Sequence, residues 1–203
     1  HDDALGRTLL AQTSARILLA YGLSERPNDL PKNVQWVGAE NVAATAQGLS
    51  ATLVFGEARV AFTTQIIGRH NLSNMLAVSA VLVAEGLSPA EIVVRLHKLQ
   101  PPAGRMACYG GQQQPLVVVD YAHTPDALAH ILSALRDVAT ARQGRLVCLF
   151  GCGGDRDPGK RPEMGRAAVA GADAVWITSD NPRGEDPEAI IAAIAQGAPG
   201  ART

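Results

Sequence analysis

Hydrophobic positions change their period along the chain, and the change divides it. The opening residues, His1-Asp2-Asp3-Ala4-Leu5-Gly6, run into an amphipathic stretch that ends near Ala20. From residue 34 to 67 the pattern is that of antiparallel strands. Val34 to Val37, Ala51 to Phe55 and Val60 to Ile67 are rich in β-branched and aromatic residues, and Gly56-Glu57 supplies a hairpin turn. A helix is predicted from about Leu72 to Ala84, with Met75, Leu76, Val78, Ala80, Leu82 and Val83 as its apolar surface and Gly86 as its stop. Ser88-Pro89-Ala90-Glu91 reads as a capping box with proline at the first helical position, opening a second helix to about Leu99. Pro101-Pro102 breaks the chain and is taken as a domain boundary, between residues 1–100 and 101–203.

The second half alternates strand and helix. Leu116 to Val119 is a continuous apolar run of the kind that forms a buried parallel strand. A helix from Pro125 to Ala139, a strand from Leu146 to Phe150, a helix from Glu163 to Ala170, a strand from Ala174 to Thr178 and a helix from Asp186 to Gln196 follow. Three strand–helix units argue an α/β fold, a parallel sheet with helices on its faces. Ligands of such sheets bind at the carboxyl ends of the strands. That rule selects residues 120–124, 151–161 and 179–185, all rich in polar and charged side chains.

Composition narrows the class. Of the 203 residues, 47% are hydrophobic and 18% charged, enough to bury a core. Lys and Arg number 18 against 19 Asp and Glu, which speaks against a nucleic-acid footprint. No apolar run reaches about 18 residues, so no membrane span is expected. The opening residues lack the basic-then-apolar pattern of a secretory signal. Three cysteines, Cys108, Cys148 and Cys152, match no zinc spacing and suit a reducing compartment. The chain opens without Met and closes in Gly200-Ala201-Arg202-Thr203 after a helical pattern, with no closing strand; the expectation is an internal piece of a longer protein.

Each loop has a chemical and a plain reading. Gly154-Asp155-Arg156-Asp157-Pro158-Gly159-Lys160 has the glycine and lysine spacing of a phosphate-binding loop. However, Arg161 stands where Ser or Thr should ligate magnesium, Pro158 removes an amide, and two aspartates would repel phosphate. The preferred reading is a polar loop offering Arg156 to a ligand carboxylate. In Asp120-Tyr121-Ala122-His123-Thr124-Pro125, Asp120 can hold ribose hydroxyls and His123 can approach a phosphate or metal. Equally, Thr124 can cap a helix that opens with Pro125. Asp180-Asn181-Pro182-Arg183 offers amide donors and a planar fork to a ligand with a carboxylate beside an ammonium, or it is an ordinary Asn-Pro turn. In Gly104-Arg105-Met106, Arg105 is a phosphate clamp or a solvated residue. Asn71 and Asn74, three apart, read an adenine edge or cap the helix. Cys148 and Cys152 read as a core and a loop cysteine rather than a redox pair.

Gly68-Arg69-His70-Asn71-Leu72-Ser73-Asn74, Gly104-Arg105-Met106, Asp120 to Pro125, Gly151 to Asp157 and Asp180 to Arg183 occur in the order seen in the Mur ligases. The chain resembles that family over nearly its whole length, most specifically from about Gly68 to Arg183. The Asp-Asn-Pro-Arg loop is similar to that of members adding meso-diaminopimelate rather than lysine. The resemblance implies a cytoplasmic step of peptidoglycan synthesis. ATP, with Mg2+, phosphorylates the D-glutamate side-chain carboxylate of a UDP-linked muramoyl dipeptide, and the diaminopimelate amine attacks the acyl phosphate. It also implies that Asn71 and Asn74 lie at the adenine, Arg105 at the terminal phosphates and Asp120 at the ribose. His123 would be close by, the one catalytic candidate, with an unassigned role. Arg156, Asp180, Asn181, Pro182 and Arg183 would hold the amino acid. The fold implied is the end of a central ATPase domain followed by a truncated Rossmann-like domain.

The family's uridine-nucleotide domain, its P-loop with magnesium ligands and modified lysine, and a Gly-Lys-Gly-His-Glu-type segment are not in this sequence. No metal ligand is assigned here, and the 203 residues alone are expected to lack ligase activity. Two rival classes stand beside this reading: another ligase of the superfamily (lysine-adding or folate polyglutamate) and a non-catalytic nucleotide- or amino-acid-binding module.

Overall fold

The computed structural model describes residues 4–203; His1, Asp2 and Asp3, the head of the expected amphipathic stretch, lie outside the described residues. The chain divides into two compact units, one up to Val119 and the other from Asp120 to Thr203. The double proline at 101–102 and this division bracket a small hairpin, described below with the first unit.

In the first unit, the opening stretch resolves into a helix and a strand. Helix α1 (Ala4–Gln12) buries no residue, and β1 (Leu18–Gly22) pairs in parallel with β2 (Val34–Thr45). From β2 the chain meanders through β3 (Gly48–Phe55) and β4 (Ala58–Thr64), giving a four-stranded sheet in the order β1-β2-β3-β4. The expected strands are therefore present, two of them longer than expected. The turn at Gly56-Glu57 places Gly56 at φ 59, where a Cβ would be strained and a primed hairpin turn needs positive φ. Strand β4 stops at Thr64 instead of the expected Ile67. The Thr64 hydroxyl accepts the Ile66 amide (3.1 Å), and buried Ile66 and Ile67 plug the core as the chain turns.

Helices α2 (Arg69–Ala84) and α3 (Pro89–Leu96) cover this sheet. The capping box forms in full: Ser88 Oγ accepts the Glu91 amide, and the Glu91 carboxylate accepts the Ser88 amide at 2.9 Å. Leu72, Met75 and Leu76 of α2 and Ile92 and Leu96 of α3 meet Leu53, Phe55 and Phe62 of the sheet. Each fully buried Leu or Ile contributes about 1.5–3 kcal/mol.

The apolar run at 116–119 corrects an expectation. It forms β6 (Leu116–Val119), but β6 pairs antiparallel with β5 (Ala107–Gly110) and alternates half-buried with exposed, Val117 and Val119 facing out. Four consecutive apolar residues carry no information about partner direction.

The second unit is the α/β part. Parallel strands β7 (Val147–Phe150) and β8 (Ala174–Ile177) lie beside α4 (Pro125–Ala141), α5 (Lys160–Gly171) and α6 (Pro187–Ala195). Leu128, Leu132, Met164, Ala168, Ile190 and Ile194 of the helices close on Cys148, Val175 and Ile177. The alternate side chains Val147, Leu149 and Trp176 are 54%, 68% and 40% exposed, so the helices of this unit pack on the opposite face of the sheet. Helix α5 starts at Lys160, three residues before the expected Glu163. The end of the chain is also not purely helical. Arg202 bridges Trp176 in parallel, its amide donating to Val175 O (3.0 Å) and its carbonyl accepting Ile177 N (2.8 Å).

Candidate functional site

Strands β7 and β8 run side by side in parallel, with Phe150 opposite Ile177, so the loops that leave their carboxyl ends emerge together. These loops are Gly151–Gly159 and Thr178–Asp186. Gly154 N donates to Asn181 O (2.9 Å), and Arg183 Nη1 donates back to Gly154 O. Gly184 N donates to Asp155 Oδ2 (3.2 Å), and Asp155 N donates to Glu185 Oε1 (2.6 Å). Gly154 is a close-approach glycine: a Cβ there would lie 2.6 Å from the Pro182 carbonyl carbon. Asp155 and Arg183 both adopt the left-handed backbone, φ 50 each, which costs a residue with a Cβ and persists only where neighbours hold it.

Beneath the loops lies an ion pair that sequence reasoning did not find. Arg161, 5% exposed, donates from Nη1 to Glu185 Oε2 (2.8 Å) and from Nη2 to Glu185 Oε1 (2.7 Å). The helix was expected to open only at Glu163, which hid the signal: in the structure Arg161 sits in the first turn of α5, where the helix dipole disfavours a cation and a partner is called for. The Glu185 carboxyl is held below its ordinary value, first by the Arg161 hydrogen bonds and then by the Asp155 amide. Asp173 is likewise lowered by Arg136 (2.8 Å) and by the Leu146 amide (2.7 Å).

Carboxylates with lowered values add stability above their unfolded pKa and lose it as pH falls through the folded one. The second unit is therefore expected to weaken as pH drops through and below the ordinary values of 4.5 and 3.8. Thermal melts between about pH 6 and about pH 3 check this, and Glu185→Gln is expected to flatten the response.

The phosphate-cradle reading of the glycine-rich loop does not fit the structure. The Gly159 amide donates to Asp157 Oδ1 (2.9 Å) and the Asp155 amide to Glu185, so carboxylates occupy amides that a cradle would present. Arg156 is exposed on the same loop, and Asp180 and Asn181 are exposed opposite, with Pro182 half-buried. Cys152 is raised by burial, against the effect of Arg161, and burial pushes Cys148 up to about 11. Neither thiol is poised as a nucleophile.

The other candidates fall in both units. Asp120 Oδ1 accepts the Ala122 amide (2.8 Å), His123 Nδ1 lies 3.1 Å from Tyr121 O, and the rings of Tyr121 and His123 meet edge-on. Thr124 Oγ1 accepts the Ala127 amide, so Thr124 and Pro125 do provide helix entry. In the first unit, Asn71 does not cap α2. Its Nδ2 donates to Ile67 O (2.8 Å), pinning the first turn of the helix to the segment before it. Asn74 is exposed one turn on. Arg105 is exposed in a tight turn between Gly104 (φ 71) and buried Met106 (φ 52). Among the described residues no cluster of three His, Cys, Asp or Glu side chains could hold a metal ion.

Comparison with known proteins gives these loops a context. Residues 1–82 match the Mur ligase middle domain, and residues 104–203 match the Mur ligase, glutamate ligase domain. The chain is 46% identical over 197 residues to a UDP-N-acetylmuramoyl-L-alanyl-D-glutamate–2,6-diaminopimelate ligase of Ralstonia nicotianae, with 97% of this chain and 38% of the relative covered. The enzyme of the same name from Ectopseudomonas mendocina is also 46% identical, over 196 residues, at the same coverage. A solved structure of a ligase of that name superposes with a TM-score of 0.61 at 36% identity, over 90% of this chain and 36% of that one. The chain thus spans a little over a third of the length of these relatives. It belongs to the Mur ligase family.

Proposed function

We propose that this chain is the part of a diaminopimelate-adding ligase that carries the end of the central ATP-binding domain and most of the amino-acid-binding domain, residues 1–100 and 101–203. The whole protein would join meso-diaminopimelate to a UDP-linked muramoyl dipeptide in the cytoplasm, in the building of peptidoglycan precursors. ATP, with magnesium, supplies an acyl phosphate on the accepting carboxylate. In this reading the chain's own loops contribute recognition of the amino acid.

The observation that carries this reading is the paired loop. Arg183 is tied to Gly154, and Arg156 is exposed on the loop that Arg183 crosses. Diaminopimelate differs from lysine by a second carboxylate, and guanidinium forks suit carboxylates. Both arginines are exposed in this chain, so discrimination against lysine rests on the charged hydrogen bonds that lysine cannot make rather than on a buried unpaired guanidinium. Asp180 and Asn181 beside them supply acceptors and donors for the ammonium and carboxylate of the same amino-acid centre. Asn71, Asn74, Arg105, Asp120 and His123 are assigned to the nucleotide, with Asp120 and Asn71 already braced by backbone groups.

The test is ADP release by the whole protein with ATP, the UDP-linked dipeptide and either diaminopimelate or lysine. Diaminopimelate is expected to drive turnover and lysine is not. A charged hydrogen bond is worth about 1.5–3 kcal/mol, so Arg183→Ala is expected to lower kcat/KM for diaminopimelate by roughly 10- to 150-fold with little change for ATP. Equal use of lysine, or an unchanged diaminopimelate response, overturns the assignment.

A further inference from the structure

We propose that Arg161 is a positioning residue for amino-acid recognition: through its two-point pair with Glu185 it holds the Gly151–Asp155 and Asp180–Glu185 loops in the one arrangement that presents Arg156 and Arg183. The proposal deepens the function proposed above and rests on it.

Three observations carry it. Arg161 is one of two buried polar or charged residues among those described, and it is the one that carries a charge. Burying a cation is costly unless a partner meets it with good geometry. Here both terminal nitrogens meet both oxygens of Glu185 at 2.7 and 2.8 Å. Second, Glu185 does not stop at Arg161. Its Oε1 also accepts the Asp155 amide, so one carboxylate ties the base of α5, the glycine-rich loop and the end of the second loop together. Third, two residues of the tied loops hold left-handed backbone. Asp155 and Arg183 are both at φ 50, and the Asp155 side chain in turn accepts the Gly184 amide next to Arg183. Release of Glu185 frees Asp155 and Gly184 to relax, and with them the backbone that aims Arg183.

The orphaned Nε of Arg161 sharpens the case. It is buried with no hydrogen-bond partner among the described residues, an expense that lysine would not incur. Lysine would keep the charge and remove the orphan. It cannot hold both Glu185 oxygens in a fixed plane, because an ammonium is a point donor. A residue present only for its charge would tolerate Arg161→Lys; a residue present for its fork would not.

The experiment compares Arg161→Lys with Arg136→Ala in the whole protein. Arg136 pairs with Asp173 in the same unit and touches neither loop, so its loss reports simple destabilisation. For Arg161→Lys, KM for diaminopimelate is expected to rise about tenfold or more, with KM for ATP within about twofold. Amide exchange at Gly154, Asp155 and Gly184 is expected to quicken by about tenfold while α4 amides hold. Arg136→Ala is expected to lower the melting temperature without the KM split. Loop exchange unchanged in Arg161→Lys overturns the proposal, and so does faster exchange with an unchanged diaminopimelate KM, or a parallel rise in both KM values matching Arg136→Ala. A wild-type protein that ignores diaminopimelate is read from the wild type alone; it removes the proposed function, and this inference with it.

Discussion

Gly154→Ala is expected to lower kcat/KM for diaminopimelate by about 100-fold or more, because a shift of about 1 Å in a positioning backbone has that effect. The added methyl would stand 2.6 Å from the carbonyl carbon of Pro182 and overlap its oxygen. Both obstacles are backbone atoms, so no rotamer change relieves them. The two loops must part, which breaks the Gly154 N to Asn181 O bond and withdraws the carbonyl to which Arg183 donates. Gly159→Ala in the same loop is the control. Its neighbour is the far end of the Asp157 side chain at 3.2 Å, and its backbone is ordinary helical (φ −62), so it is expected to stay within about twofold of wild type. Steady-state ADP release by both variants of the whole protein checks the pair. Gly154→Ala with wild-type kinetics would show that the loops are free to separate without consequence.

Arg156, Asp180, Asn181 and Arg183, the proposed binding residues, lie on loops that other residues fix. Gly154 sets how near the loops come, Glu185 collects Arg161 and the Asp155 amide, and Asp155 caps Gly184. In the proposed site, this bracing would make recognition by the arginines selective. A guanidinium discriminates between carboxylate-bearing and carboxylate-free amino acids only when it cannot swing to another partner.

What could be read from the sequence followed the range of the interaction. The Ser88–Glu91 box, the Thr124-Pro125 entry and the Gly56 turn are all local, each decided within four residues, and each is present in the structure. Candidate site residues were picked out by their chemistry and given roles by the resemblance to the Mur ligases. Their surroundings were not legible, because those depend on partners far along the chain. Arg161 and Glu185 are 24 residues apart, and Arg183 and Gly154 are 29 apart. Asn71 had an adenine-reading and a capping alternative, and neither anticipated a bond to the carbonyl of Ile67. The run Leu116–Val119 identified a strand but not its antiparallel partner β5. Likewise the polar end of the chain gave no hint of its bridge to Trp176, which is a matter of backbone pairing rather than side-chain pattern.

Leu76→Ala is expected to destabilise the first unit by about 2–5 kcal/mol, the range for a fully buried leucine truncated in a packed core. Leu76 is 0% exposed in the middle of α2, in the cluster formed with Leu53, Phe62 and Ile92. Val78, two positions on, is 45% exposed on the opposite side of the same helix, and Val78→Ala is expected to stay within about 0.5 kcal/mol. The contrast tests the placement of the helix as well as its stability. Asn71 and Asn74 lie on the first turn and a half of α2, so the face that buries Leu76 also fixes where those amides stand. Hydrogen exchange of α2 and β3 amides reads the first unit without interference from the second. Protection is expected to fall in both elements for Leu76→Ala and in neither for Val78→Ala. Equal effects from the two substitutions would mean that α2 is rotated about its axis, and the adenine-side assignment of Asn71 and Asn74 would go with it.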